Sequence, residues 1–493
     1  MVQIRNIVSQ NPWWKYEPFE DEDKHLTELA KWPIRFERTE LPLEPGNIYL
    51  LRGPRQVGKT TLIKEQISRL VRENEDPESI LYYPCDYLRS RRELRNIIEF
   101  HLDRNRTSEN LFIFLDEITY LQDWSREIKA LVDVGLLRRS TVVLTGSGAA
   151  HLKREAEQLP GRGMEGNQYL LLPLSFREFF LQAGAKIAIP LHSDVKRSLD
   201  HARKRLKGNI LSLDEDVLGQ RQKIDKMVPH AANLDYLLRV YLLTGGFPRA
   251  LNEMISNRLK SIEDDTYEVL TKAILGDFSK RGRDEALARQ VLEGLIRRHG
   301  TRFGYRALSS DIDAVHQTII QYLNAMDDSL LTQTIHAIDF HTRRIRPKAE
   351  KKIYFTDPFI YHSVNAFVSG QRGFSLSKDV LEEPASLSSL VEGVVASHLT
   401  RTRVKPYMVE PMTFLHFFYN PRTEVDFVYK RGSGELTGIE VKYGRERTPP
   451  FPRLSQLRER ITLTRDSVEF RGEEAKIPVA VFLGLLGKSQ SCL

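Results

Sequence analysis

Between residue 41 and about 180 the chain alternates short, almost wholly apolar runs with stretches of helical spacing. The runs lie near 47–52, 79–84, 111–116, 141–146 and 167–172. Runs this short, with no polar alternation, suit strands buried on both faces, so the pattern predicts a mostly parallel α/β sheet covered by helices on either side. From 185 to 280 only helical spacing remains, dense in charge. A new order then begins. Residues 285–299 place Leu287, Val291, Leu292, Leu295 and Ile296 on one helical stripe. A short helix is expected at 305–308 and a third at 314–326, and 330–338 and 352–355 read as strands. From 386 the order is helix, three strands, helix, strand. The longest apolar run, 479–486, is expected to be a buried strand.

These shifts divide the chain into a polar N-terminal segment (1–40, with Trp13 and Trp14), an α/β core (41–184), a helical lid (185–280), a three-helix and strand segment (281–364), a Gly/Ser/Pro-containing linker (365–386) and a C-terminal α/β domain (387–493). A length of 493 residues agrees with about three domains. No apolar run approaches bilayer thickness and no signal-peptide core opens the chain, so the expected setting is cytoplasmic with no membrane partner. The two cysteines, Cys85 and Cys492, cannot build a disulfide framework, and the 13 histidines lack metal-ligand spacing. A net charge of +7 suits a polyanionic partner without requiring one. Its local concentrations are Arg89, Arg91, Arg92 and Arg95, a second run over 196–207, and Arg343, Arg344, Arg346, Lys348, Lys351 and Lys352.

The chemistry begins at Gly53-Pro54-Arg55-Gln56-Val57-Gly58-Lys59-Thr60, followed by Thr61, which fits G-x-x-x-x-G-K-[ST] without a mismatch. It follows a predicted strand and opens a predicted helix, the context that the phosphate-binding loop needs. Glycines let backbone N–H groups close around phosphate oxygens at a helix N-terminus. Lys59 would reach the β- and γ-phosphates and the Thr60 hydroxyl would ligate Mg²⁺, so ATP and Mg²⁺ are the expected cofactors. The run 111–115 then ends in Asp116 and Glu117. Asp116 is placed to hold the magnesium shell, and Glu117 to orient and deprotonate the attacking water. The run 141–146 ends beside Ser147 at the same sheet edge, so Thr145 or Ser147 is expected to contact the γ-phosphate or the water.

Together with Phe114-Leu-Asp-Glu-Ile118, Leu144-Thr-Gly-Ser147, Gly161-Arg162 and Leu172-Pro-Leu-Ser-Phe-Arg-Glu-Phe179, the loop resembles a family of archaeal and bacterial ATPases. That family is related to AAA+ and STAND proteins, and its members often carry a C-terminal nuclease-like domain. Asn11-Pro-Trp-Trp14 and Gly245-Gly-Phe-Pro248 are similar to family features as well. The resemblance implies that Arg162 acts as an arginine finger or sensor. It also implies that Pro248 packs near the nucleotide base and that Arg249 approaches the phosphates from the lid.

The order of elements over 281–364 is that of a winged helix, with Arg343, Arg344, Arg346 and Lys348 on the wing. Such a module sets its third helix in a DNA groove and its wing on the phosphate backbone. His316, Gln317 and Gln321 are the polar groups exposed on that helix. Related ATPases also use the module for packing or autoinhibition.

In the C-terminal domain Glu440-Val441-Lys442 matches the acid-x-Lys strand of PD-(D/E)xK nucleases. The same spacing at Glu22/Lys24, Glu127/Lys129, Glu350/Lys352 and Glu474/Lys476 shows how little it means alone. Context separates it: 424–429 is a second strand, joined through Gly432-Ser433-Gly434. A turn centred on Ser433 puts Asp426 directly opposite Glu440 on one face, with Cβ atoms about 5 Å apart. Carboxylates so close repel unless a divalent cation lies between them, so Asp426 and Glu440 are the expected metal ligands. Lys442 would stabilise the attacking hydroxide, with Glu392 as fourth member of the site.

The expected protein is an AAA+-type ATPase that couples hydrolysis to binding and remodelling DNA, by translocation or by unwinding branched structures. It would work as a homo-oligomeric ring, of which a hexamer is one form. Two other readings stay open: a STAND-like switch with slow turnover, and a defence or mobile-element effector whose nuclease is released on nucleotide exchange.

Overall fold

The computed structural model describes residues 4–146, 166–188, 192–280, 282–403, 413–444 and 450–487. The chain divides into two compact units, residues 1–172 with 328–330, and residues 173–327 with 331–493.

The first unit is built on five parallel strands: β1 Ile48–Arg52, β2 Ile80–Pro84, β3 Leu111–Asp116, β4 Ser140–Gly146 and β5 Gln168–Leu170, in the spatial order β2-β3-β4-β1-β5. Each of the five apolar runs between 41 and 180 thus contains a strand, and the α/β class with a P-loop NTPase sheet stands. Side chains alternate between two cores. Ile48, Leu50, Leu81, Ile113 and Leu115 pack with Leu94, Ile97 and Ile98 of the helix Arg91–Arg104 and with Trp124 and Ile128 of the helix Trp124–Asp133. Tyr49, Tyr82, Phe112 and Phe114 pack on the other face against Ile63 and Ile67 of the helix Lys59–Arg72.

That second face is completed by the N-terminal segment, whose Trp13, Phe19 and Leu26 are buried in it. Asn11 fixes the segment by bonding both backbone groups of Tyr82: its Nδ2 donates to the carbonyl at 3.0 Å, and its Oδ1 accepts the N–H at 2.6 Å. The indole N–H groups of Trp13 and Trp14 both donate to the Ile80 carbonyl, at 3.0 and 2.9 Å. Lys64, buried under this cover, pairs with Asp23 at 3.0 Å and lies over the Tyr82 ring.

The second unit contains a mixed sheet of ten strands. In chain order these are β6 Arg302–Phe303, β7 Thr332–Asp339, β8 Arg344–Ile345, β9 Lys351–Phe355, β10 Leu415–Asn420, β11 Thr423–Lys430, β12 Leu436–Lys442, β13 Glu459–Thr464, β14 Glu469–Arg471 and β15 Glu474–Pro478. Their spatial order is β14-β15-β13-β12-β11-β10-β7-β9-β6, with β8 on β7. The strands expected on either side of the linker therefore belong to one sheet, joined where His416 and Phe417 of β10 pair with His336 and Ala337 of β7.

Two expectations are corrected here. Residues 365–386 are no linker: they complete the helix Pro358–Ser369, form the helix Gly373–Glu382 and begin the helix Pro384–Arg401. Gly373 abuts the Tyr267 ring, where an added Cβ would stand 2.5 Å from it, so tertiary packing selects glycine where composition suggested looseness. The run 479–486 is not a strand but the helix Val479–Leu485, buried throughout. A continuous apolar run has no periodicity to separate the two. Among the described residues between β12 and that helix, where a helix was expected, stand β13, β14 and β15.

Side-chain clamps tie the unit's distant segments together. Gly245, at φ 54°, passes so close to Asp357 that a Cβ would lie 1.7 Å from its carboxylate, which in turn accepts the Gly246 N–H at 2.9 Å. Arg431 and Glu459, both buried, are paired, and Glu459 also accepts the N–H groups of Val217 and Leu218 at 3.1 and 2.9 Å. His398 accepts the Phe176 N–H at 2.8 Å.

Candidate functional site

β1 delivers the chain into the phosphate-binding loop, and the helix Lys59–Arg72 leaves it. Gly58 is the residue before the helix, at φ 99°, a conformation that needs glycine. Val57 anchors the loop by packing with Leu51, Leu62 and Leu171. Lys59 is buried, and its Nζ donates to the carbonyls of Gly53 and Pro54, each at 3.0 Å, while lying 3.7 Å from Glu117 Oε1. The ammonium therefore rests inside the loop, where a phosphate would draw it.

The strand order puts β4 between the loop strand β1 and the acid strand β3, so the ends of all three meet at one edge. Asp116 is buried and accepts three hydroxyls: Thr60 at 2.6 Å, Tyr82 at 3.1 Å, and Thr145. Thr145 also accepts the Glu117 N–H at 2.9 Å, so one hydroxyl bridges the two acids, with its proton directed at Asp116. Burial, with the Asp116 charge second, pushes the Tyr82 phenol well above its ordinary range, so it stays a donor. Glu117 sits in the left-handed region at φ 52°, a conformation that costs energy for a non-glycine and concentrates at functional sites.

Thr60 and Asp116 form a hydroxyl and carboxylate pair of hard oxygens beside the loop, and that donor set fits Mg²⁺. The sequence did not single out the contacts of Arg55. Its Nη1 lies 3.4 Å from Glu117 Oε1 and its Nη2 donates to Tyr120 Oη at 3.2 Å. Ser147 and Arg162 lie outside the described residues. Pro248 begins the helix Pro248–Ser256, and Arg249 pairs with Glu253 and Asp265, each at 3.1 Å. Both belong to the second unit.

A second constellation lies within that unit. The β11–β12 ladder pairs Phe427 with Ile439 and Val428 with Gly438, the register centred on Ser433, and ends one residue short of Asp426 and Glu440. Asp426 Oδ2 accepts the Val441 N–H at 3.0 Å and lies 3.3 Å from Lys442 Nζ, which is 2.5 Å from Glu440 Oε2. Glu392 arrives from the helix Pro384–Arg401 and accepts the hydroxyl of Tyr354.

Sequence reasoning missed the central group. Lys352 of β9, only 2% exposed, lies 2.9 Å from Glu392, 2.8 Å from Glu424 and 3.2 Å from Asp426. Its acid-x-Lys spacing with Glu350 was one of the background matches, and nothing local marks it. Burial would raise the Asp426 pKa, but Lys352 and Lys442 hold it below the ordinary carboxylate range. Burial and then the Asp426 charge push Glu392 up to about 7. Glu440 is raised for the same reasons. This donor set does not fit the divalent cation expected between Asp426 and Glu440. Both oxygens of Asp426 already face ammonium groups, and among the described residues no group of three or more His, Cys, Asp or Glu is arranged to hold a metal.

A third feature is surface. The helices Glu285–Arg297, Tyr305–Ile312 and His316–Asp328 precede β7, β8 and β9, and β6 pairs with β9. Gln317 and Gln321 are exposed along one face of the third helix, joined by Asn324, while His316 is half-buried. Arg343, Arg344, Arg346 and Lys348 are exposed around β8, with Arg346 over the Tyr419 ring.

Two family models match the chain: an AAA domain over residues 45–180, and a domain of unknown function (DUF8612) over residues 235–371. The chain thus carries an AAA-type ATPase domain. No curated protein matches it. Among solved structures it is similar to Cdc6p from Pyrobaculum aerophilum, at 12% identity over 72% of this chain and 93% of that one. The TM-score is 0.21, at which the likeness carries no argument. Among the described residues no helix is long and apolar enough to cross a membrane.

Proposed function

We propose that this protein is an ATP hydrolase that couples turnover to binding and remodelling DNA. The observation that carries the reading is the meeting of Lys59, Thr60, Asp116, Glu117 and Thr145 at one sheet edge. The loop amides and Lys59 bind the phosphates. Thr60 and Asp116 would hold Mg²⁺, which supplies charge neutralisation on the phosphate oxygens. Glu117 takes a proton from the water whose oxygen bonds to the γ-phosphorus as the bond to the β-phosphate oxygen breaks. Thr145 fixes Glu117 through its backbone and Asp116 through its carboxylate, and Arg162 remains the candidate finger or sensor.

The DNA half of the reading is supported by the winged-helix order of elements over 281–364. Exposed Gln317, Gln321 and Asn324 on the third helix, and exposed Arg343, Arg344, Arg346 and Lys348 around β8, support it further. Phosphate contact by such cations gives sequence-independent affinity. Translocation or unwinding by a ring-forming oligomer is the work that fits. Pro248 and Arg249 remain the candidate contacts to the base and the phosphates.

A second reading, a slow nucleotide switch, is favoured by the contact of Arg55 with Glu117, which holds the base in an ion pair. One assay separates the two: ATP turnover alone, and with single-stranded, duplex and four-way-junction DNA. A motor hydrolyses continuously and faster with DNA. A switch purifies with nucleotide bound and shows no stimulation, which would overturn the proposal.

A further inference from the structure

We propose that the ammonium of Lys352 is the resident cation of the C-terminal carboxylate cluster, standing beside the acids that were expected to hold a divalent metal, and that the site takes up no metal. The inference goes beyond the ATPase reading and does not depend on it.

The first ground is stoichiometry. A lysine has three N–H donors, and Lys352 Nζ has three carboxylates within reach, from Glu392 at 2.9 Å, Glu424 at 2.8 Å and Asp426 at 3.2 Å. Two come from β11 and one from the helix Pro384–Arg401, so the oxygens surround the nitrogen from separate elements. These are ammonium–carboxylate distances. Magnesium demands about 2.0–2.1 Å and near-octahedral ligands, so the carboxylates would have to close in and the lysine leave.

The second ground is that the lysine has no way out. β9 is paired on both sides, Lys352 facing Ile335 of β7 and Arg302 of β6, so its backbone is fixed. The side chain is 2% exposed. Displacing it would leave a buried, unpaired ammonium, which desolvation makes strongly unfavourable. Burial disfavours the charged lysine, but Tyr354, Glu392, Asp426 and Glu424 together more than offset that.

The third ground is the far side of Asp426. Its Oδ2 is taken by the Val441 N–H and by Lys442, which also neutralises Glu440. With Oδ1 on Lys352, both oxygens of the carboxylate expected to lead a metal shell already face an ammonium. Lys352 thus does electrostatically what a metal would do, keeping paired carboxylates together, while offering no site to polarise a water.

The test is Mn²⁺ binding to the nucleotide-free full chain, followed by paramagnetic resonance of free Mn²⁺ at millimolar metal, with thermal unfolding of each preparation. Wild type and Asp426→Asn are expected to bind Mn²⁺ alike. Lys352→Met is expected to gain one Mn²⁺ per chain, and Lys352→Met/Asp426→Asn to lose it again. A wild-type Mn²⁺ site that Asp426→Asn abolishes would overturn the proposal. So would a cooperatively folded Lys352→Met that gains none. If Lys352→Met folds only with Mn²⁺, the metal is replacing the ammonium and the proposal is supported. If it folds under neither condition, the comparison of wild type with Asp426→Asn decides. ATP turnover of the same preparations reports separately on the ATPase reading.

Discussion

Arg55 and Glu117 face each other across the phosphate-binding loop at 3.4 Å, a variable position of the motif paired with the residue expected to take the water's proton. The guanidinium occupies the carboxylate, and on the slow-switch reading that contact restrains the base. Arg55→Ala should therefore raise DNA-free ATP turnover several-fold and shrink any stimulation by DNA. Steady-state phosphate release with and without DNA checks this, and a large loss of basal turnover would instead make Arg55 a phosphate ligand.

Lys59→Ala should abolish hydrolysis, because the ammonium is the one lysine seated in the loop. Glu117→Gln should still bind ATP while losing about 10²–10⁴-fold in turnover, the usual contribution of a general base. Fluorescent-nucleotide binding alongside turnover separates the effects. A well-folded Glu117→Gln with wild-type turnover would remove that residue from the mechanism.

Replacing Arg343, Arg344 and Arg346 with alanine should weaken DNA binding on every sequence. It should also flatten the dependence of log affinity on log salt by about 0.9 per lost phosphate contact. Arg346 also stacks on Tyr419 and Arg343 reaches the Gly434 carbonyl at 3.4 Å. Unchanged affinity and slope would assign the basic segment to packing.

The second unit should lose stability in mild acid. Burial, then the His362 charge, pushes His299 down to about 3; burial and Arg401 take His398 to about 3; burial takes His362 to about 4. Unfolding restores each to an ordinary value of 6.5, so the unfolded chain binds protons that the folded chain refuses. Stability is thus full above 6.5 and falls as pH drops toward 4 and 3. The slope is about 1.4 kcal/mol per pH unit for each histidine. Urea unfolding across that range measures it. His398→Gln, which retains an acceptor for the Phe176 N–H, should reduce the slope.

The parallel sheet was legible because strands buried on both faces leave unbroken apolar runs, as at 111–115. The β11–β12 register was legible because Gly432-Ser433-Gly434 fixes the turn, and two-residue periodicity does the rest. What escaped was long-range. The pairing of His416 with His336 that merges two expected domains into one sheet has no local signal. Lys352 joins Asp426 across 74 positions of sequence, and its spacing from Glu350 looked like noise. Residues 365–386 looked loose because glycine and serine are poor helix formers, yet contacts such as Gly373 on Tyr267 override propensity.

The N-terminal segment also guards a sheet edge. β2 is the outermost strand of its sheet, and a strand with free backbone groups is a template on which a second chain can pair and aggregate. Here Asn11, Trp13 and Trp14 occupy the outward groups of Tyr82 and the Ile80 carbonyl with side chains, which cannot propagate a ladder. Sheet continuation through β2 is thereby closed, and open-ended growth by strand addition at that edge is blocked.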